Sequence, residues 1–199
     1  LRQLSEAKVQ IMQAQIEPHF LFNTLSSLQY LIEKDPSKAN QMLNYLVNYL
    51  RYAIPQIREN KAINNLGKEI NNIKDYLNIM QIRIGERLSV EFQIPTQLEG
   101  MNFPSMMLQP IVENAIKYGI EESLNGGLIK IKAEITNSKL ELHVIDTGEG
   151  FKSNNGRSGN GMSLINIKER LNILYRGQAQ LIIKPNEPHG SIVTIQLPY

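Results

Sequence analysis

Cysteine is missing from this sequence of 199 residues. Its absence excludes disulfides, cysteine–zinc sites and thiol nucleophiles, and it fits a reducing cytosol. Long apolar runs are missing too. None approaches the roughly 20 residues that cross a bilayer, and no stretch reads as a signal peptide. Any membrane anchor is expected in segments outside this sequence, which opens on Leu1 rather than Met and reads as a piece of a longer polypeptide. Charge of one sign is scarce. The 21 Lys and Arg against 19 Asp and Glu leave +2, with the basic residues dispersed, so no nucleic-acid partner is expected. What is present is 42% hydrophobic residues, enough for one compact domain with a helical extension or for two small domains.

The most unusual stretch is Gln15-Ile16-Glu17-Pro18-His19-Phe20-Leu21-Phe22-Asn23. Reading Leu4, Ile11, Pro18, Leu25 and Ile32 as heptad a positions puts Ala7, Ala14, Leu21 and Leu28 at d, a helix-bundle seam. Pro18 then falls inside a helix expected over residues 1 to about 33, where a proline costs roughly 3 kcal/mol and kinks the chain. His19 lies off the seam at a b position. Asn23, four residues on, shares its face. A lone histidine of this kind is ordinarily a hydrogen-bonded surface or core residue; a role requires a partner site elsewhere in the chain.

Asp35-Pro36-Ser37 is a turn, with Asp35 or Ser37 able to cap the next helix. From Lys38 an apolar face runs through Leu43, Leu46, Val47, Leu50, Ala53 and Ile54, and Pro55 is expected to end or kink it. The two helices read as an antiparallel hairpin with incompletely buried stripes. A second copy completing a four-helix dimer is the expected occupant; the alternative is packing on the rest of the chain. Asn60 to Gly67 reads as a polar connector and Lys68 to Leu88 as a helix. Ser89 to Ile94 reads as a strand, and Pro104 to Gly119 as a helix with Pro104 at its opening. Beyond Gly126-Gly127 the period is two. Strands are expected over 128–135, 140–145, 179–183 and 191–197, with a loop over 146–161 and a helix over 162–175. Residues 1–60 are thus expected to form a helical dimerisation region. Residues 61–199, including the 68–88 helix, are expected to form an α+β sandwich.

Two stretches carry chemistry. On the helix leading to Gly119, the polar residues Glu113, Asn114 and Lys117 share one side of an otherwise apolar surface. An amide oxygen can ligate Mg²⁺ and a lysine can meet phosphate, although a plain amphipathic helix has the same pattern. Asp146-Thr147-Gly148-Glu149-Gly150 follows a strand, and Gly156, Gly159 and Gly161 precede a helix. Glycines there admit backbone N–H groups to an anion, and a carboxylate at a strand end can accept from an exocyclic amine. The pattern is neither a Walker loop nor a dinucleotide-binding fingerprint.

The ordered set Pro18-His19-Phe20-Leu21-Phe22-Asn23, Leu108-Gln109-Pro110 through Glu113-Asn114-Ala115 to Gly119, Asp146-x-Gly148-x-Gly150 and Gly159-x-Gly161 resembles the LytS/YehU-type sensor histidine kinases. The similarity extends over essentially the whole chain, including Leu50-Arg51-Tyr52, Tyr76 and Arg83. Their ATP-binding half belongs to the gyrase/Hsp90/histidine-kinase/MutL (GHKL, Bergerat-type) fold, an α/β sandwich with a mixed sheet. The resemblance implies His19 as phosphoacceptor from ATP and Asn114 as the Mg²⁺ ligand. It implies Lys117 on phosphate, Tyr118 stacked on adenine and Asp146 on the adenine amino group. Gly148, Gly150, Gly159 and Gly161 would shape the pocket and a lid between Phe151 and Met162. The implied partners are a second copy of the chain and a response-regulator protein, whose aspartate receives the phosphoryl group. The implied location is the cytoplasmic domain of a membrane sensor. The transfer asks mainly for positioning and charge neutralisation.

Departures from the family pattern sharpen the expectations. Tyr118 stands where many members have histidine, and Ser163 where a third glycine is common. Pro110 occupies the place of the glutamate used by related hydrolytic ATPases, so rapid free hydrolysis is not expected. Phe20 stands where many other histidine kinases place an acid, which leaves Glu17 and Glu113 as candidate bases. Asn23 matches a position that influences dephosphorylation in other histidine kinases. Two other readings are a dimeric nucleotide-binding module without phosphotransfer, and a serine kinase of the same ATP fold acting on a separate protein, which leaves the Pro18-His19 stretch idle.

Overall fold

The computed structural model describes residues 17–59, 63–149 and 160–199. Helices α1 (Pro18–Lys34) and α2 (Pro36–Glu59) form the expected pair. Asp35 is the cap between them, its Oδ1 accepting from Lys38 N at 3.0 Å. Strand β1 (Ile63–Asn65) leads into α3 (Leu66–Ile84), which Asn65 caps through Lys68 N at 2.8 Å. A short 3-10 turn, Gly85–Arg87, precedes β2 (Leu88–Gln93). Then come β3 (Asn102–Pro104), α4 (Gln109–Asn114) and a π-turn over Ala115–Ile120. The remainder is β4 (Gly127–Thr136), β5 (Lys139–Asp146), α5 (Asn160–Tyr175), β6 (Gln180–Pro185) and β7 (Ser191–Pro198).

The main sheet has the order β2-β4-β5-β7-β6, parallel between β2 and β4 and antiparallel elsewhere. Alternation sets its faces. Ile129, Ile131, Ala133, Leu140, Leu142, Val144, Val193, Ile195 and Leu197 are buried. They share one core with a helical layer. To it α3 contributes Ile70, Ile73 and Leu77, α4 and the π-turn Ile111, Val112 and Ile116, and α5 Leu164, Ile167 and Leu171. The β4–β5 connection is tight, with Asn137 and Ser138 both left-handed at φ 50° and 57°, as a two-residue hairpin turn requires.

Several expectations are overturned at prolines and at helix faces. Pro18 does not kink a continuous helix. Glu17 is extended at ψ 115° and Pro18 occupies the first turn of α1, where its missing N–H has no partner to lose. Leu4, Ala7, Ile11 and Ala14 lie outside the described residues. Of the two outcomes expected at Pro55, an end is overturned: α2 continues to Glu59, with no N–H at Pro55 for the Arg51 carbonyl. The expected connector contains β1, paired antiparallel with β3. Pro104 closes β3 instead of opening a helix. Met106 then turns left-handed at φ 54°, and Pro110 takes the early helical position in α4.

The helical faces are divided. Phe20, Thr24 and Leu28 are the buried residues of α1, while Leu25 and Ile32 are 54% and 63% exposed. On α2, Met42, Leu46, Tyr49 and Ala53 are buried, while Leu43, Val47 and Ile54 are exposed. An inner stripe therefore packs within the chain and an outer stripe faces away from it. Three rings explain which face turns inward. Phe20 meets Tyr49 edge-on at 5.4 Å and Tyr76 at 5.0 Å, joining α1, α2 and α3. Such pairs add about 0.5–1.5 kcal/mol each beyond area burial.

Candidate functional site

His19 and Phe20 are neighbours with opposite fates. Phe20 is buried in the ring cluster, and His19 is exposed one position before it. The anchor therefore positions the imidazole. Asn23 Nδ2 lies 3.2 Å from Nδ1 and 3.1 Å from Nε2 of that ring, the i, i+4 pairing expected from the sequence. Its amide can donate to whichever nitrogen carries the lone pair.

Beside His19 is a cleft of about 60 Å³ lined by residues of α1, α3, α4 and the π-turn. Its charged residues are Glu17, Arg83, Glu113, Lys117 and Glu121. Two expected site residues, Glu113 and Lys117, thus share a cleft with His19. Burial pushes the Glu113 carboxyl up to about 7, aided by the nearby Glu17 charge and opposed by Gln109 and Lys117. Gln109 Nε2 donates to Glu113 Oε1 at 2.8 Å.

The second cluster lies where β5 ends. Asp146 is 2% exposed, and burial raises its carboxyl above the ordinary range against the pull of its hydrogen bonds. Gly148 N donates to Oδ1 at 3.1 Å, and Ser191 N donates to Oδ2 at 3.1 Å with help from its own hydroxyl. Gly119 approaches so closely that a Cβ there would lie 2.8 Å from Asp146 Oδ1. A Cβ on Gly148 would lie 1.9 Å from the Gly119 carbonyl oxygen. The π-turn that carries Gly119 also carries Lys117 and Tyr118, so one short segment serves both clusters. Lys117 Nζ is 5.3 Å from the Tyr118 ring centroid.

Asn114 ends α4, and its Nδ2 is buried without a hydrogen-bond partner among the described residues. That orphaned Nδ2 calls for a hydrogen-bond acceptor such as a phosphate oxygen, while Asp146 and the close glycine approach fit a ligand carrying an amine; the Asn114 amide oxygen is the atom that could meet a hard cation. Gly150 and Gly159 lie outside the described residues, as does most of the expected lid; Gly161 is in the first turn of α5.

Some functional neighbours escaped the sequence reading. Ser191 and Asn186, which donates to the Asp146 carbonyl at 2.9 Å, are far from Asp146 in the chain and give no local sign. Glu69 did leave one: it falls on the apolar stripe of α3 between Leu66 and Ile70. It is fully buried and accepts from Met107 N at 2.8 Å, Leu108 N and Met106 N at 3.0 Å, and Tyr52 OH at 2.6 Å.

A family model described as histidine kinase matches residues 7–88. Another, described as histidine kinase-, DNA gyrase B- and HSP90-like ATPase, matches residues 102–199. The histidine kinase domain of a blue-light activated histidine kinase from Erythrobacter litoralis superposes with a TM-score of 0.52 at 17% identity, covering 99% of this chain and 93% of that one. The Acinetobacter baumannii histidine kinase AdeS gives 0.52 at 16%, covering 90% and 94%. The fold is that of histidine kinase catalytic domains. The sensor protein LytS of Oceanobacillus iheyensis is 34% identical over 208 residues, which is 98% of this chain and 35% of that protein. The Escherichia coli sensor histidine kinase YpdA is 34% identical over 206 residues, 100% of this chain and 35% of that protein. The chain spans about a third of the length of these curated relatives, at 35% of each. It belongs to the histidine kinase family.

Proposed function

We propose that this chain is the ATP-dependent core of a two-component sensor, which phosphorylates itself on His19 and passes the phosphoryl group to a response-regulator aspartate. The observation that carries the reading is the cleft shared by His19, Glu113 and Lys117, adjoining the helix that ends in Asn114. Asn114 offers its amide oxygen to Mg²⁺, Lys117 meets phosphate, Tyr118 stacks on adenine and Asp146 accepts from the adenine amino group. Gly148, Gly150, Gly159 and Gly161 shape the pocket. Glu17 and Glu113 are the candidate proton acceptors, and Asn23 acts on dephosphorylation. Residues 1–60 serve as the phosphoacceptor and dimerisation part, and 61–199 as the ATP-binding part.

The exposed apolar stripe of Leu25, Ile32, Leu43, Val47 and Ile54 supports a homodimer. No helix among the described residues is long and apolar enough to cross a membrane. A cytoplasmic position in a membrane sensor belongs to the same proposal. The test is incubation with γ-labelled ATP and Mg²⁺, comparing wild type with His19→Gln and Asn114→Ala. Acid-labile, base-stable label that vanishes in both variants is the expected result. Label persisting in His19→Gln would move the acceptor elsewhere.

A further inference from the structure

Arg83, in the last turn of α3, lines the His19 cleft and also an adjoining hollow of about 440 Å³. The hollow is lined by Asn23, Ser26, Ser27 and Arg87 among others. Its hydroxyls are engaged: Ser26 donates to the Phe22 carbonyl and Ser27 to the Asn23 carbonyl, each at 2.9 Å. Arg87 is engaged too, with Nη2 donating to the Ser123 carbonyl at 2.7 Å. Arg83 differs. Among the described residues its guanidinium donates to the Met80 sulfur at 3.3 Å, a weak acceptor that leaves most of its donors available.

The charge of the cleft gives that guanidinium a task. Glu17, Glu113 and Glu121 would repel an arriving phosphoryl group, and Arg83 and Lys117 are the cations that oppose them. We propose that Arg83 is a catalytic residue for phosphorylation of His19, receiving the phosphoryl oxygens at the imidazole and holding them in the phosphohistidine. The inference rests on the kinase reading above. In the step, the lone pair of one ring nitrogen forms the N–P bond. The bond from the γ-phosphorus to the bridging oxygen breaks, and its electron pair leaves with ADP. The proton on the other ring nitrogen passes to a cleft carboxylate. A planar guanidinium matches two phosphoryl oxygens at once, which a lysine cannot do.

The experiment is single-turnover phosphorylation of wild type, Arg83→Lys and Arg83→Gln, with nucleotide affinity and thermal stability measured alongside. Arg83→Gln is expected to slow phosphorylation about 10²–10³-fold, the loss typical of one charge-stabilising group. ATP affinity stays within about two-fold, and Arg83→Lys recovers part of the rate. The equilibrium amount of phosphohistidine in the presence of ADP also falls in Arg83→Gln, which a merely structural role would not produce. A wild-type rate in Arg83→Gln, or a rate loss matched by lost ATP affinity, overturns the role of Arg83 alone. An unlabelled wild type overturns the kinase reading and this role together.

Discussion

Glu69 is a buried carboxylate whose partners are backbone N–H groups of the segment before α4 and the Tyr52 hydroxyl. Truncation to alanine would leave those donors without an acceptor, each unpaired group costing about 1–3 kcal/mol. Glu69→Ala is therefore expected to unfold at clearly lower denaturant concentration than wild type. At Gly148 the limit is space, since a Cβ there would meet the Gly119 carbonyl oxygen. Gly148→Ala is expected to cost about 1–3 kcal/mol and to weaken nucleotide binding in a titration, because the Gly148 backbone and the π-turn at Gly119 must separate. Wild-type affinity in that variant would contradict the assigned pocket.

Among the elements, α1 is anchored near its start by the burial of Phe20 against Tyr49 and Tyr76. Phe20→Ala is expected to cost about 3–5 kcal/mol and to reduce labelling of His19, whose ring is held by its neighbour's burial. The outer stripe gives a separate prediction. Val47→Glu places a charge on a face already exposed in the single chain, so folding should survive. Sedimentation should then report monomers in place of dimers. The periodicity of α1 and α2 was legible because it needs only the spacing of apolar residues. Which part of each face turns inward was not, because the ring of Tyr76 arrives from another helix. Pro104 misled for a related reason: its place in β3 depends on pairing with Ile63, far away in the chain.

For the whole molecule, carboxyls raised by burial shape the pH response. Glu69, Glu113 and Asp146 are all raised by burial, so the folded chain holds protons that the unfolded chain releases. For Glu113 the stability is fully present below the ordinary value of 4.5 and is lost as pH rises through about 7. The nucleotide-free and magnesium-free protein is expected to show a falling Tm between about pH 5 and about pH 8, with Glu113→Gln flattening the slope. A flat wild-type profile would contradict this. The proposed site was legible to the extent that it is local: His19 pairs with Asn23, and Glu113 and Lys117 share its cleft beside the helix that ends in Asn114. The carboxylate clamp on Asp146 was not, because Ser191 reaches it from β7. That clamp has a consequence in time. A growing chain makes Asp146 well before it makes Ser191, and β7 must then enter the sheet between β5 and β6. Until that strand is synthesised and inserted, Asp146 lacks the two donors that Ser191 supplies, so the proposed seat for adenine is completed only after β7 has formed.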